Sequence, residues 1–266
     1  MQTSNILDAN TISKNLRTKH FGRSLMIVHE CTSTNDLAEM KATEGAPHGF
    51  VVISETQTNG RGREGREWVS PFGGIWLTLL IRPDQSSNLS ALPLVSALAV
   101  CRAANKDLAA HSKVRWPNDV MINDRKLAGV LAQAKVEGTK FVHVLVGIGL
   151  NANFQTNQIE AIRGMAVSML DMLGTPIHRE PLICSMLYEA EQMYELLEST
   201  NDDQLLSMIR QVDWSRGRNV RIKTSDRQIT GAFDDYTTLS KARIRTERQL
   251  VVVETNDVVS VEYESN

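Results

Sequence analysis

The sequence predicts an α+β protein in two parts: a β-sheet domain flanked by helices over residues 1–212, and a small β-barrel-like module over residues 213–266. Three observations carry this. Apolar runs of strand length at 50–53, 74–81 and 141–153 are separated by polar turns. Residues 89–110 and 180–198 instead hold apolar side chains at helical spacing. From Arg218 the composition changes to five short β-runs divided by turns, about fifty residues in all and at the lower end of domain size.

Taken in order, residues 9–17 predict a short helix and 25–30 a strand. The strand runs into Cys31-Thr32-Ser33-Thr34-Asn35-Asp36, and 36–42 starts a helix. Ser33, Thr34 and Asn35 suit a helix N-cap. Their hydroxyls and amide, at a strand's end, also suit the reading of a polar ligand head, and the two roles are compatible. Strand 50–53 ends near Glu55 and Gln57, whose amide matches an amide-like ligand group. Helix 89–110 carries Pro93 in its first turns, where proline is tolerated. Residues 113–122 and 126–133 predict a hairpin of two core strands turning at Asn123-Asp124-Arg125. Within it, Trp116-Pro117-Asn118-Asp119 reads either as a turn or as a binding segment. Lys126 opens an apolar strand, either as an edge lysine in water or as a placed cation. The glycines of 141–153 mark close approach of backbone or ligand, with Asn151 and Asn153 at the strand's end. His143 alternates with apolar residues and reads as a face or core histidine rather than a catalyst. The methionines of 180–198 read as core filler, and 202–211 as a further helix. The final β-runs are 220–223, 229–233, 242–246, 250–254 and 258–263, with Asp234-Asp235 among the turns between them.

Between strands 50–53 and 74–81 lies Gly60-Arg61-Gly62-Arg63-Glu64-Gly65-Arg66, followed by Glu67 and Trp68. It holds three glycines and three arginines in seven residues. Such a loop packs poorly but closes well over an anion. Glycine admits positive φ and close backbone approach, and arginine offers planar donor forks to phosphate or carboxylate. Its Gly60-x-Gly62-x-x-Gly65 spacing is not a dinucleotide fingerprint, because no helix follows the glycines.

Bulk composition narrows the alternatives. Hydrophobic residues are 42% and charged residues 23%, ordinary for a globular chain. A net charge of −2 lacks the basic footprint of a general nucleic-acid binder, so any anion site is local. Cys31, Cys101 and Cys184 are odd in number and widely spaced, which argues against a disulfide framework or zinc site and suits a reducing, cytoplasmic setting. The polar start is not a signal peptide. No apolar run is long enough to span a membrane.

Together these segments resemble the biotin protein ligases. The matching features are Ser33-Thr34-Asn35, Gln57, Gly60-Arg61-Gly62-Arg63-x-x-Arg66-x-Trp68, Trp116-Pro117-Asn118-Asp119, Lys126-x-Ala128-Gly129-x-Leu131 and Gly147-x-Gly149-Leu150-Asn151. Each alone is weak; six in order, across residues 25–155, are specific. The resemblance implies a mixed β-sheet catalytic domain flanked by helices, ending in a small SH3-like β-barrel. It implies activation of biotin by ATP to biotinyl-5′-AMP, then transfer to a lysine of a biotin carboxyl carrier protein domain. It also implies the roles. Arg63 and Lys126 are catalytic. Ser33, Thr34, Asn35, Gln57, Gly60, Arg61, Gly62, Arg63, Trp68, Lys126 and Gly129 surround biotin. Arg63, Arg66, Trp68, Asn118, Asp119, Lys126 and Asn151 face ATP or the adenylate. No metal cage is visible, so Mg²⁺ is expected to arrive on ATP. A homodimer paired through the central sheet is consistent with the family; nucleic-acid and membrane partners are not expected.

Two departures stand out. Arg115 precedes Trp116 where the family usually has lysine, which keeps the charge and changes its geometry. No N-terminal DNA-binding domain is expected, and with it no repressor role. Two competing readings are weaker. A lipoate-type ligase or acyltransferase shares the fold, but an Arg-Arg-x-Ser-Gly-Gly-Gly-like loop is missing. Intact Arg63 and Lys126 argue against a non-catalytic biotin-binding protein.

Overall fold

The structure, a computed structural model, describes residues 6–83 and 88–264. Its elements are α1 (Ala9–Asn15), β1 (Leu25–Cys31), α2 (Thr34–Thr43), β2 (Val51–Gln57), β3 (Ile75–Ile81) and α3 (Leu92–Leu108). There follow β4 (Lys113–Arg115), β5 (Asp119–Ile122), β6 (Arg125–Glu137), β7 (Lys140–Leu150), α4 (Met169–Leu173), α5 (Arg179–Glu198) and α6 (Asp202–Gln211). The C-terminal part holds β8 (Asn219–Thr224), β9 (Gln228–Thr238), β10 (Lys241–Arg245), β11 (Leu250–Glu254) and β12 (Val258–Tyr263).

The first seven strands form one mixed sheet in the order β1-β2-β3-β7-β6-β5-β4. β1 and β2 pair parallel across the α2 crossover, and every other neighbour is antiparallel. Strand alternation divides the residues between two faces. On β3, Ile75, Leu77, Leu79 and Ile81 join the main core with α3 and α5. Trp76, Thr78 and Leu80 point the other way. There α2 covers one end of the face, where Ala38 and Ala42 pack on Val52, Leu80 and Leu145. The rest of that face carries Gly147 opposite Thr78, and Gly149 between Trp76 and Gly129. Small residues there leave a hollow.

Two expectations are corrected, the first on this sheet. Residues 113–122 are not one strand. The chain turns back at Trp116-Pro117-Asn118 through a cis Trp116–Pro117 bond, so β4 and β5 pair with each other and β5 then pairs with β6. A strand-length apolar pattern does not reveal a reversal inside it.

The C-terminal module is a five-stranded antiparallel sheet in the order β11-β10-β9-β8-β12. A single 3₁₀ turn, Thr255–Asp257, joins its two end strands. Asp234-Asp235 is not a turn but lies inside β9, where register shifts against β10 accommodate it. Asp234 pairs with Arg243 and Arg245, and Asp235 with Arg210 of α6. The module docks on the sheet edge: Trp214 N–H donates to Val114 O, and the Trp116 ring packs 5.9 Å from Phe233. Among the described residues, no helix is long and apolar enough to cross a membrane.

A buried ion pair ties the start of α5 to the end of β2. Arg179 Nη1 lies 2.8 Å from Glu55 Oε2 and donates to Gly74 O, while Glu55 Oε1 accepts from Leu7 N–H. Both side chains are fully buried. Removing one partner strands a buried charge. We expect Arg179→Met to lower unfolding stability by roughly 3–5 kcal/mol in urea titration; a loss below about 1 kcal/mol contradicts the assigned role of the pair.

Candidate active site

The hollow on the α2 face is a cavity of about 780 Å³. Its floor requires glycine. A Cβ on Gly149 would fall 2.4 Å from Trp68 Nε1, one on Gly129 2.9 Å from Trp68 Cζ3, and one on Gly147 2.5 Å from Asn35 Oδ1. The floor therefore admits the Trp68 indole on one side and Asn35 on the other.

At the inner end stands a polar cluster. Ser33 caps α2, its hydroxyl accepting from Asn35 N–H. Gln57 Oε1 accepts from Thr34 N–H at 2.8 Å and lies 3.1 Å from the Thr34 hydroxyl, and its Nε2 donates to Ser70 Oγ. The Asn35 amide reaches Thr78 Oγ1 at 2.5 Å and Gln133 Oε1 at 2.6 Å. Ser33 thus caps the helix, whereas Thr34 and Asn35 open it and turn their side chains to Gln57, Thr78 and Gln133; all three line the cavity.

The middle of the cavity is organised by one carboxylate. Asp119, at the start of β5, accepts from Arg115 Nη2 at 2.5 Å and lies 2.6 Å from Lys126 Nζ. Burial alone would raise its carboxyl, but Lys126 and Arg115 outweigh that and hold it below the ordinary carboxylate value. Lys126 also lies 4.8 Å from the centre of the Trp68 ring, within cation–π range. Asn118 and Asn151 line the cavity, with their amide N–H groups on backbone carbonyls. Asn118 donates to Val130 O, and Asn151 to Lys126 O and Val167 O, pinning the strands that carry Asp119 and Lys126.

The basic loop forms the outer wall. Gly60 O accepts from Trp68 N–H, the backbone of Arg61 lies antiparallel to that of Glu67, and the tip is a 3₁₀ turn, Arg63–Gly65. A Cβ on Gly60 would fall 2.3 Å from Trp68 O. All three arginines line the cavity, as do Gly62 and Trp68, but they are differently engaged. Arg61 pairs with Asp36 in the first turn of α2. Arg66 is exposed and lies 3.4 Å from Glu64. Arg63 is half-buried, which lowers its guanidinium below the ordinary value, and it donates to Val258 O of the C-terminal module at 2.8 Å.

Several lining residues were not singled out from the sequence. Trp214, Arg218 and Tyr263 bring the C-terminal module to the cavity wall. Arg218 stacks 3.8 Å from the Trp214 ring, and Tyr263 O–H donates to Trp116 O. Trp214 and Arg218 stand at the composition change, which marks a boundary and not a site. The Trp116 ring packs toward Phe233. Behind the lining, Thr78 and Gln133 hold Asn35 from within strand patterns that carry no local signal. His143 is buried, with Nε2 2.6 Å from Glu39 Oε2, on the sheet rather than in the cavity. Among the described residues, no group of three or more His, Cys, Asp or Glu side chains is arranged to hold a metal.

Comparison with known proteins agrees with this geometry. The Biotin/lipoate A/B protein ligase family matches residues 27–151. A biotin–[acetyl-CoA-carboxylase] ligase of Mycobacterium tuberculosis is 31% identical over 247 residues, covering 89% of each chain. The bifunctional ligase/repressor BirA of Bacillus subtilis is 28% identical across 98% of this chain and 78% of its own. A biotin protein ligase from Aquifex aeolicus, solved in complex with biotin and ATP, superposes with a TM-score of 0.79 at 26% identity, over 91% of this chain and all of that one. With the likeness to the mycobacterial ligase across 89% of each chain and the site built at the matched segments, this chain belongs to the biotin protein ligase family.

Proposed function

We propose that this chain is an ATP-dependent biotin protein ligase, which activates biotin as biotinyl-5′-AMP and transfers the biotinyl group to a lysine of a biotin carboxyl carrier protein. The observation that carries the reading is the Asp119 carboxylate holding Lys126 and Arg115 between a hydrogen-bonding cluster and an arginine loop. In the first step a biotin carboxylate oxygen attacks the α-phosphorus of MgATP, and the bond to pyrophosphate breaks. In the second a carrier lysine amine attacks the acyl carbon, loses a proton and releases AMP.

Each part of the cavity serves one demand of that chemistry. Ser33, Thr34, Asn35 and Gln57 read the ureido head. Trp68 and Gly129 line the slot for the bicyclic body and tail, with Gly60 and Gly62 letting the loop approach. Two anions must meet where charge builds on the α-phosphate, so preorganised cations there stabilise the transition state. Lys126 bridges carboxylate and phosphate from a rigid strand, Arg63 serves the same oxygens from the loop, and Arg61 and Arg66 add charge at the rim. Asp119 orients Lys126 and Arg115, and Asn118 and Asn151 fix the strands beneath the nucleotide. Mg²⁺ enters on ATP. Residues 1–212 act as the catalytic domain and 213–266 as a module that closes its nucleotide end. The setting is cytoplasmic, and the partner is the carrier domain of a biotin-dependent carboxylase.

Incubation with biotin, ATP and a carrier domain is expected to give an avidin-reactive carrier. Lys126→Ala is expected to slow ligation by roughly 10²–10³; ligation at the parent rate contradicts the role of Lys126, and an unlabelled carrier with the parent chain contradicts the function. The loop also protects an anhydride that water destroys. Biotin plus ATP is therefore expected to suppress tryptic cleavage at Arg61, Arg63 and Arg66, and equal cleavage with and without them counts against closure.

A further inference from the structure

The polar cluster at the inner end of the cavity continues beyond it as a chain of side chains. Gln133 Oε1 accepts from Asn35 Nδ2 at 2.6 Å. Asn35 Oδ1 lies 2.5 Å from Thr78 Oγ1, which lies 2.8 Å from Thr34 Oγ1, itself 3.1 Å from Gln57 Oε1. Gln133 is exposed, on β6 opposite Leu145 and outside the cavity lining.

The protons in this chain do not balance. An amide oxygen only accepts, and a threonine hydroxyl carries one proton. Asn35 gives an N–H to Gln133 Oε1 and presents its own oxygen inward to Thr78 Oγ1. Three oxygen–oxygen contacts then run from Asn35 Oδ1 through Thr78 and Thr34 to Gln57 Oε1. Only the hydroxyl protons of Thr34 and Thr78 are there to serve them. One contact is always a proton short, and the row presents excess acceptors. Rotating the Asn35 amide would send an N–H inward, supply the third proton and saturate the row.

We infer that Gln133 is a specificity-determining positioning residue: by accepting from Asn35 it keeps the inner end of the cavity rich in acceptors, and so selects a ligand head that brings N–H donors. This rests on the ligase reading, in which that head is a cyclic urea with two N–H groups. Gln133 touches no substrate atom and acts through Asn35.

Two variants of similar size at this exposed position separate the inference from a structural role. Gln133→Glu keeps an acceptor toward Asn35. Gln133→Lys offers donors only, turns the Asn35 oxygen outward and saturates the row. Biotin activation is followed by pyrophosphate release with a carrier domain present. The KM for biotin is expected to rise roughly tenfold in Gln133→Lys, as befits one lost acceptor. In that variant kcat is expected to stay within about twofold, and Gln133→Glu to keep both parameters within about twofold, since neither variant touches the reacting atoms. The direction is informative, because an added cation alone would favour an anionic substrate. The parent is expected to reject a biotin analogue N-methylated on the ureido ring more strongly than Gln133→Lys does. An unchanged KM in Gln133→Lys, or equal rises in both variants, overturns the inference. Matching melting temperatures confirm that folding is not what was measured. No pyrophosphate release from the parent chain overturns the ligase reading itself, and this inference with it.

Discussion

The site turns on a carboxylate that is buried and kept charged. Asp119 loses the solvation that favours ionisation, and Arg115 and Lys126 restore it at close range. The constraint runs outward from there. The β5–β6 register shifts between Val120 and Met121, so that Leu127 of β6 is skipped and Lys126 pairs with Met121. Asn118 and Asn151 stitch β5 to β6 and β6 to the end of β7 by their amides. Arg115 must reach back from β4, which the reversal at Trp116-Pro117-Asn118 allows. Two cations on one anion leave a net positive charge in a partly desolvated cavity, where an incoming carboxylate or phosphate gains more than it would in water.

The other half of the design is the absence of side chains. Gly129, Gly147 and Gly149 lie at adjacent register positions on β6 and β7, and a methyl group on any of them would strike Trp68, Lys126 or Asn35. The indole therefore sits on backbone, and the ammonium of Lys126 sits over the indole. The loop that carries Trp68 is in turn held to α2 by Arg61–Asp36 and to β12 by Arg63. The loop, the floor and the C-terminal module are thus connected through arginine and tryptophan, side chains whose planar groups satisfy several partners at once.

Much of this is legible in the sequence. Strand 250–254, strand 258–263 and helix 202–211 agree with β11, β12 and α6, because turn residues bound them sharply. The cavity likewise gathers Ser33, Gln57, Trp68, Asp119, Lys126 and Asn151 from segments far apart in sequence. What stayed hidden is pairing at a distance. Nothing near Arg61 shows that it meets Asp36, nor anything near Arg179 that it meets Glu55. The reversal at Trp116-Pro117-Asn118 hid inside an apolar pattern. Tyr263 gives no signal because alternating strands announce a sheet and not what the sheet abuts, and Trp214 and Arg218 stand where the composition change marks only a boundary. Periodicity reports which face is buried, while the identity of the neighbour is set by topology.

The most direct test of the account leaves the carrier out. A cavity built to join two anions and shield their product should form biotinyl-5′-AMP by itself and retain it. Stoichiometric protein mixed with biotin and ATP labelled at the α-phosphate, then passed through a desalting column, is expected to carry about one labelled adenylate per chain. The label should leave as AMP when a carrier domain is added, in the stoichiometry of the two half-reactions. Absence of label on the protein, or label that departs as AMP at the same rate without carrier, contradicts the central claim.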